Sequence, residues 1–181
     1  MGRYLFSGNF KEGEVFWGLA FFLEGAEIFN TPARLVYTRQ IVDPVAGAKL
    51  TGKVGAFQVG YIGALDESPS TLFGGTGKAA FNLVRARRDV GVGSAVGLLY
   101  ADRTLTDGSG AYNRVLGGDA RLVFGGRYTL TTQVAGAVTR EADEEGNDGM
   151  RPLLQMDFQR GGRGLSWNVS LTDVHPDCRA R

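Results

Sequence analysis

Cysteine and histidine are almost absent. Cys178 is the only cysteine and His175 the only histidine, which excludes an internal disulfide framework and a His-rich metal site. An excess of one charge is also lacking, since 20 Lys and Arg stand against 19 Asp and Glu. A nucleic-acid binder shows a basic face and a marked surplus of Lys and Arg, so no nucleic-acid partner is expected. No apolar run approaches the roughly 20 residues of a spanning helix. The best candidate, residues 15–23 ("VFWGLAFFL"), is far shorter. It also makes a poor signal peptide, because Glu12 and Glu14 sit where positive charge belongs and no A-x-A site follows.

Glycine, by contrast, is abundant. The 28 glycines among 181 residues are about twice the ordinary share. They are scattered through strand-like runs, as in curved sheets and barrels. Beyond residue 34 the dominant period is two. In "SAVGLLYADR", Val96, Leu98 and Tyr100 share one face, with Ala95, Gly97 and Ala101 on the other. Tyr128, Leu130 and Val134 oppose Thr129, Thr131 and Gln133. Leu154, Met156 and Phe158 oppose Gln155, Asp157 and Gln159, and Trp167, Val169 and Leu171 oppose Asn168, Ser170 and Thr172. The pattern predicts an all-β, antiparallel up-and-down meander of about nine strands, near 34–41, 49–56, 58–65, 79–89, 94–103, 114–124, 127–139, 151–160 and 164–173.

Short connections ("AFQ", "VGVG", "GGR", "GGRG") alternate with long ones ("DPVAGA", "DESPSTLFGGTGK", "TLTDGSGAYN", "EADEEGNDG"). In an up-and-down sheet that places every long loop at one end, as in a transmembrane β-barrel. Tyr61, Phe124, Tyr128, Phe158 and Trp167 lie near short turns, and Tyr100 and Phe81 toward the long loops. Such placement fits the two interfacial girdles of a membrane barrel. A soluble barrel or sandwich with core aromatics is the other reading. The polar face favours the membrane form, with Ser, Thr, Gln, Asn, Asp and Arg lining a wet lumen and the apolar face meeting lipid. Bacterial single-chain barrels hold an even number of strands, so an odd count reads as part of a larger barrel.

The tempting motifs fail. "FGGTGKAAF" has Leu72 where a phosphate loop needs its first glycine and Ala79 where it needs Ser or Thr. "GVGSAVG" misses the dinucleotide fingerprint and leads into a strand. "EADEEGNDG" has Pro152 in place of the bidentate Glu of a calcium loop. His175 has no nucleophile partner, Cys178 has no base, and the Glu24/Glu27 pair is an ordinary solvated or Arg-paired feature. No catalytic set, metal site or cofactor is expected. One charge pattern does stand out: in "NLVRARRDV", Arg85 and Arg87 share a face. On a membrane strand that face must look into the lumen, since a midplane Arg toward lipid costs about 2–4 kcal/mol. Lys53, Arg85, Arg87, Asp119 and Arg121 are the candidate lumen-facing charge ladder, either salt-bridged struts or the lining of a path for anionic or sugar solutes.

The phrases "FFLEGAEIFNTPARLVYTRQI", "GAKLTGKVG", "VRARRDV", "SAVGLLYADR", "GGDARLVFGGRYTL" and "DVHPD" carry a further signal. Across residues 21–177 the chain resembles a bacterial family of undefined activity, in which a family-nine-type carbohydrate-binding module precedes an outer-membrane β-barrel. The resemblance implies outer-membrane location, membrane lipid as partner and saccharide as the ligand of a module missing here. It also implies that residues 1–33 are a leader or hinge and residues 34–181 an incomplete barrel. Phe22, Glu24, Glu27 and Phe29 are the candidate hinge, with aromatics at the barrel's rim or mouth and the two carboxylates available to lumenal Arg. The expected role is a barrel that anchors or passes ligand for that module. The alternative is a soluble β-barrel whose apolar face points inward onto a small apolar ligand.

Overall fold

The period of two along the chain produces strands and little else. The computed structural model describes residues 2–7, 26–33, 35, 44–67, 77–141 and 149–174. Its strands are β1 (Gly2–Ser7), β2 (Pro44–Val54), β3 (Phe57–Asp66), β4 (Ala79–Gly91), β5 (Ser94–Leu105), β6 (Tyr112–Phe124), β7 (Tyr128–Arg140), β8 (Arg151–Arg160) and β9 (Trp167–Val174). Each pairs antiparallel with the next, giving one nine-stranded up-and-down sheet in chain order. β1 and β9 form its edges and the sheet is open. β4, β6 and β7 reach 13 residues, well beyond the usual five or six of a soluble strand.

Two differences from the expected strands stand at the start of the chain. Gly2–Ser7 is a strand paired with β2. The strand expected at 34–41 is absent at Leu35, which is buried outside any strand; residues 34 and 36–41 lie outside the described residues. β2 also begins at Pro44 instead of 49. Ala46, Gly47 and Ala48 read as loop because they are small, yet they pair with Leu65, Ala64 and Gly63. Pairing with a neighbour overrides weak local preference, and proline is tolerated at the first position of a strand.

The turns follow the expected alternation. β2–β3 and β4–β5 close tightly through Gly55 and Gly93, at φ 59° and 71°, a left-handed backbone that suits hairpins and glycine. β6–β7 is also tight, while the chain leaves β3, β5 and β7 at the opposite end. Ser7 pairs with Ala46, so the long β1–β2 connection belongs to the long-loop end as well. A short 3-10 turn, Ala26–Phe29, lies on that connection.

This connection folds back onto the sheet. A Cβ on Gly60 of β3 would lie 2.8 Å from the Phe29 ring, and one on Gly117 of β6 would lie 2.5 Å from Leu35 Cδ1. The Ala33 amide donates to Gln133 Oε1 of β7 at 2.5 Å. β3 and β7 would be roughly 19 Å apart in a flat sheet, and contact with both by so short a segment fits a sheet that curls around it. The core sits there, on the concave face: Phe29 and Leu35 pack with Ile62, Leu83, Leu99, Val115, Ala135 and Ala137.

Candidate functional site: the two faces of a curled sheet

Register fixes which side chains share the concave face. Ile62 pairs with Leu83, Leu83 with Ala101, Ala101 with Val115 and Val115 with Ala137. The same ladders put all five charge-ladder residues on this face: Lys53 opposite Gln58, Gln58 opposite Arg87, Arg85 opposite Leu99, Gly97 opposite Asp119 and Ala95 opposite Arg121. All five thus share the face that carries the buried core.

The ladder is not one connected network. Arg85 leaves β4, crosses β5 and meets Asp119 of β6 with both nitrogens, Nη1 to Oδ2 at 2.5 Å and Nη2 to Oδ1 at 2.9 Å. Arg85 is 2% exposed. The crossing depends on Gly97, where a Cβ would come within 2.5–2.8 Å of three guanidinium atoms. A buried bidentate pair holds geometry well, and losing either partner strands a charge. Lys53 instead pairs with Asp89 at 3.1 Å, with both side chains well exposed, so this pair contributes little. Arg87 and Arg121 are exposed and belong to no ion pair among the described residues.

Of the candidate hinge, Phe22 and Glu24 lie outside the described residues. Phe29 is buried at the middle of the concave face, against Gly60. Glu27 is exposed and makes no ion pair among the described residues. The acidic loop 142–148, His175 and Cys178 also lie outside them.

The interior differs from a uniformly wet lumen. Its middle is apolar and filled by the chain's own Phe29 and Leu35. Toward the long loops lies a second, buried polar layer: Asp66, Arg103, Asn113 and Thr139. Asn113 Nδ2 donates to Thr139 Oγ1 at 2.8 Å, and Arg103 lies over the Phe81 ring. Phe81 therefore belongs to the interior, not to an outer girdle. Toward the short turns the concave face is open and polar. Sequence reasoning missed Gln133, Gly97, Gly60 and Gly117, because their roles come from partners distant in the chain.

The convex face is the reverse. Leu98, Leu116, Val134 and Val169 are 55–59% exposed, and Leu50, Val59, Val84, Val96, Met156 and Leu171 are exposed beside them. On β2 to β9 this face carries charge only near strand ends, at Arg88, Asp102, Arg114, Arg140, Arg160 and Asp173. Two polar side chains inside the band are satisfied locally: Tyr61 OH donates to Asn82 Oδ1 at 3.0 Å and Thr132 Oγ1 to the Gln155 carbonyl at 3.2 Å. At the short-turn end, Phe124, Tyr128 and Phe158 stack across β6 to β8 and Trp167 of β9 meets Phe158 edge-on, with neighbouring centroids 5.0–6.1 Å apart. Arg88 sits over Phe57 and Arg160 over Tyr128; at the long-loop end Arg114 sits over Tyr112. No family model matches the chain, and no curated protein or solved structure matches it either.

Proposed function

We propose that this sheet is the wall of a transmembrane β-barrel, set in a bacterial outer membrane and serving as an anchor. The observation that carries the reading is the convex face: a broad, charge-free apolar band, bounded at both ends by aromatic rings under arginines. A soluble monomer rarely exposes a contiguous apolar patch beyond a few hundred Å². In hydrocarbon the same band is at rest, and an exposed polar side chain is tolerated only when it is bonded internally, as Asn82 and Thr132 are. Tyr112 and Phe124 both face outward at opposite ends of β6. A strand of that length rises roughly 40 Å, and a tilt of about 40° brings the height near 30 Å, close to a bilayer's hydrocarbon thickness. That no helix among the described residues is long and apolar enough to cross a membrane has no bearing on strands.

The apolar middle of the concave face favours an anchor over an open channel, because Phe29 and Leu35 occupy the space a solute would cross. It also tells against a soluble barrel with an apolar ligand. In that arrangement Val96, Leu98 and Val169 would line the interior, and here they point away from it. The test is electrophoretic and colloidal. In detergent the folded chain should migrate differently in unboiled and boiled samples, and it should aggregate when detergent is withdrawn. A chain that stays a dispersed monomer without detergent would sink the reading.

A further inference from the structure

At the short-turn end, the β6–β7 turn and the β8–β9 connection enclose an open cleft of about 780 Å³. We propose that this cleft is a binding site for a small oxyanion, a phosphate or carboxylate group presented to Arg127. The proposal goes beyond the anchor reading and does not depend on it.

The chemistry of the lining points to an anion. Arg127, Thr129, Gln159, Ser166 and Asn168 all offer hydrogen-bond donors to the space, Arg160 stands at its edge, and no carboxylate lines it. Arg160 is partly committed, since Nη1 donates to the Leu165 carbonyl; Arg127 is exposed and in no ion pair among the described residues. Val123 carries the wall onward, and Arg121, two residues away on the same face, is equally uncommitted. A guanidinium fork matches an oxyanion with two parallel N–H bonds, and amides and hydroxyls take the remaining lone pairs.

The nearby acids offset this field only in part. Asp157 lies on the concave face of β8, opposite Thr131; Ser170 Oγ at 2.5 Å and Gln155 Nε2 at 3.2 Å donate to it but are neutral and leave its negative charge in place. Asp89 is taken by Lys53. Arg87, Arg121, Arg127 and Arg163 are exposed at this end and in no ion pair among the described residues; four cations against Asp157 leave a positive potential that concentrates anions. A cation would find neutral amide and hydroxyl oxygens there but no carboxylate, and would face the Arg127 guanidinium.

The experiment uses the full chain with Trp17→Phe, so that Trp167, which lines the cleft, is the only tryptophan reporting. Inorganic phosphate and a soluble short-chain phosphatidic acid are titrated separately at low salt while emission is followed. Saturable quenching or enhancement is expected, weakened at least tenfold by Arg127→Gln and again by Arg121→Gln, and shifted to higher ligand concentration by added salt. Response to both probes identifies the oxyanion itself as sufficient. Response to the lipid alone identifies a membrane headgroup as its source, still through Arg127. No saturable response to either probe, or an Arg127→Gln chain that titrates like its parent, overturns the site. Phosphate binding by a chain that needs no detergent would keep the site and sink the anchor.

Discussion

Along β5, Val96, Leu98 and Tyr100 alternate with Ala95, Gly97 and Leu99 on a single backbone, yet the two sets meet different worlds. The first set is exposed, with Leu98 at 56%. In the second, Ala95 and Leu99 are buried, and Gly97 lies beneath a crossing arginine. On most sheets the larger apolar residues face the core. Here large apolar residues lie on both faces: Leu99 joins the buried core with Ile62, Leu83 and Val115, while Val96, Leu98 and Tyr100 face outward, and the interior also takes the small residues and most of the charges. The convex face is defined by what surrounds it. The concave face is defined by what the chain supplies: Phe29, Leu35 and the Arg85–Asp119 strut. Substitutions should therefore follow face, not residue type.

The largest effect belongs to the strut. Arg85→Ala leaves Asp119, only 14% exposed, without its cation. We predict a loss of about 3–5 kcal/mol, read from urea-induced unfolding in lipid vesicles. Arg85→Ala together with Asp119→Ala should recover much of it, since no stranded charge remains. A double variant as unstable as the single one would show that packing, not charge, holds this part of the interior.

Next comes a pair on opposite faces of β7, three residues apart. Val134 points outward at the middle of the band, while Gln133 and Thr131 point inward. If the band meets lipid, Val134→Arg should cost about 2–4 kcal/mol. Thr131→Arg, on the open concave side, should cost far less. Equal costs would erase the distinction between the faces.

How much of this was legible follows from which terms are local. The period of two separated the two faces along β5, β7, β8 and β9 and paired Arg85 with Arg87 on β4, because alternation is imposed by every strand's own pleat, though it grouped Phe81 with the outer girdle. It placed Arg85, Arg87, Asp119 and Arg121 together before any pairing was known. It could not show that Arg85 would reach across β5, since that needs Gly97 to lie between the two strands. Nor could it show the filled centre. Leu35 stands at the head of an alternating run that read as a strand, and its burial against Gly117 is a contact across 82 positions of chain, as 117 − 35 gives. Gly60 and Gly117 looked like any other strand glycine. Their meaning lies in the segment that packs on them.

Glycine also supplies the sharpest test at smaller cost. Gly52 and Gly97 both lie within strands, Gly52 on the convex side opposite Val59 and Gly97 on the concave side opposite Arg87. A Cβ on Gly52 meets nothing within 4 Å. Gly52→Ala should stabilise the fold by about 0.4–1 kcal/mol, through the lower entropy of its unfolded chain. Gly97→Ala gains the same entropy and forces the Arg85 guanidinium aside. It should cost about 1–3 kcal/mol, the worth of a displaced hydrogen bond to a charged group. In the Arg85→Ala background that cost should vanish, and a cost that persists would mean the backbone at Gly97 matters for its own sake.

The smallest effect belongs to neither face. On the 106–111 loop, Asp107 Oδ1 accepts from the Ser109 hydroxyl at 2.5 Å and from its amide at 2.9 Å. The hydroxyl bond first and the amide second hold the Asp107 carboxyl below its ordinary range. A lowered folded-state value means the loop gains stability above the unfolded aspartate value of about 3.9. That gain is lost as pH falls through the lower, folded value. Amide exchange at Ser109 and Ala111 should therefore quicken below about pH 4 in the parent chain, and Asp107→Asn should remove the pH step. The outward band, charged only near its strand ends, should keep its amide protection through the same titration. A loss of protection along β5 and β6 at the same pH would tie the loop to the sheet and break the separation between rim and faces.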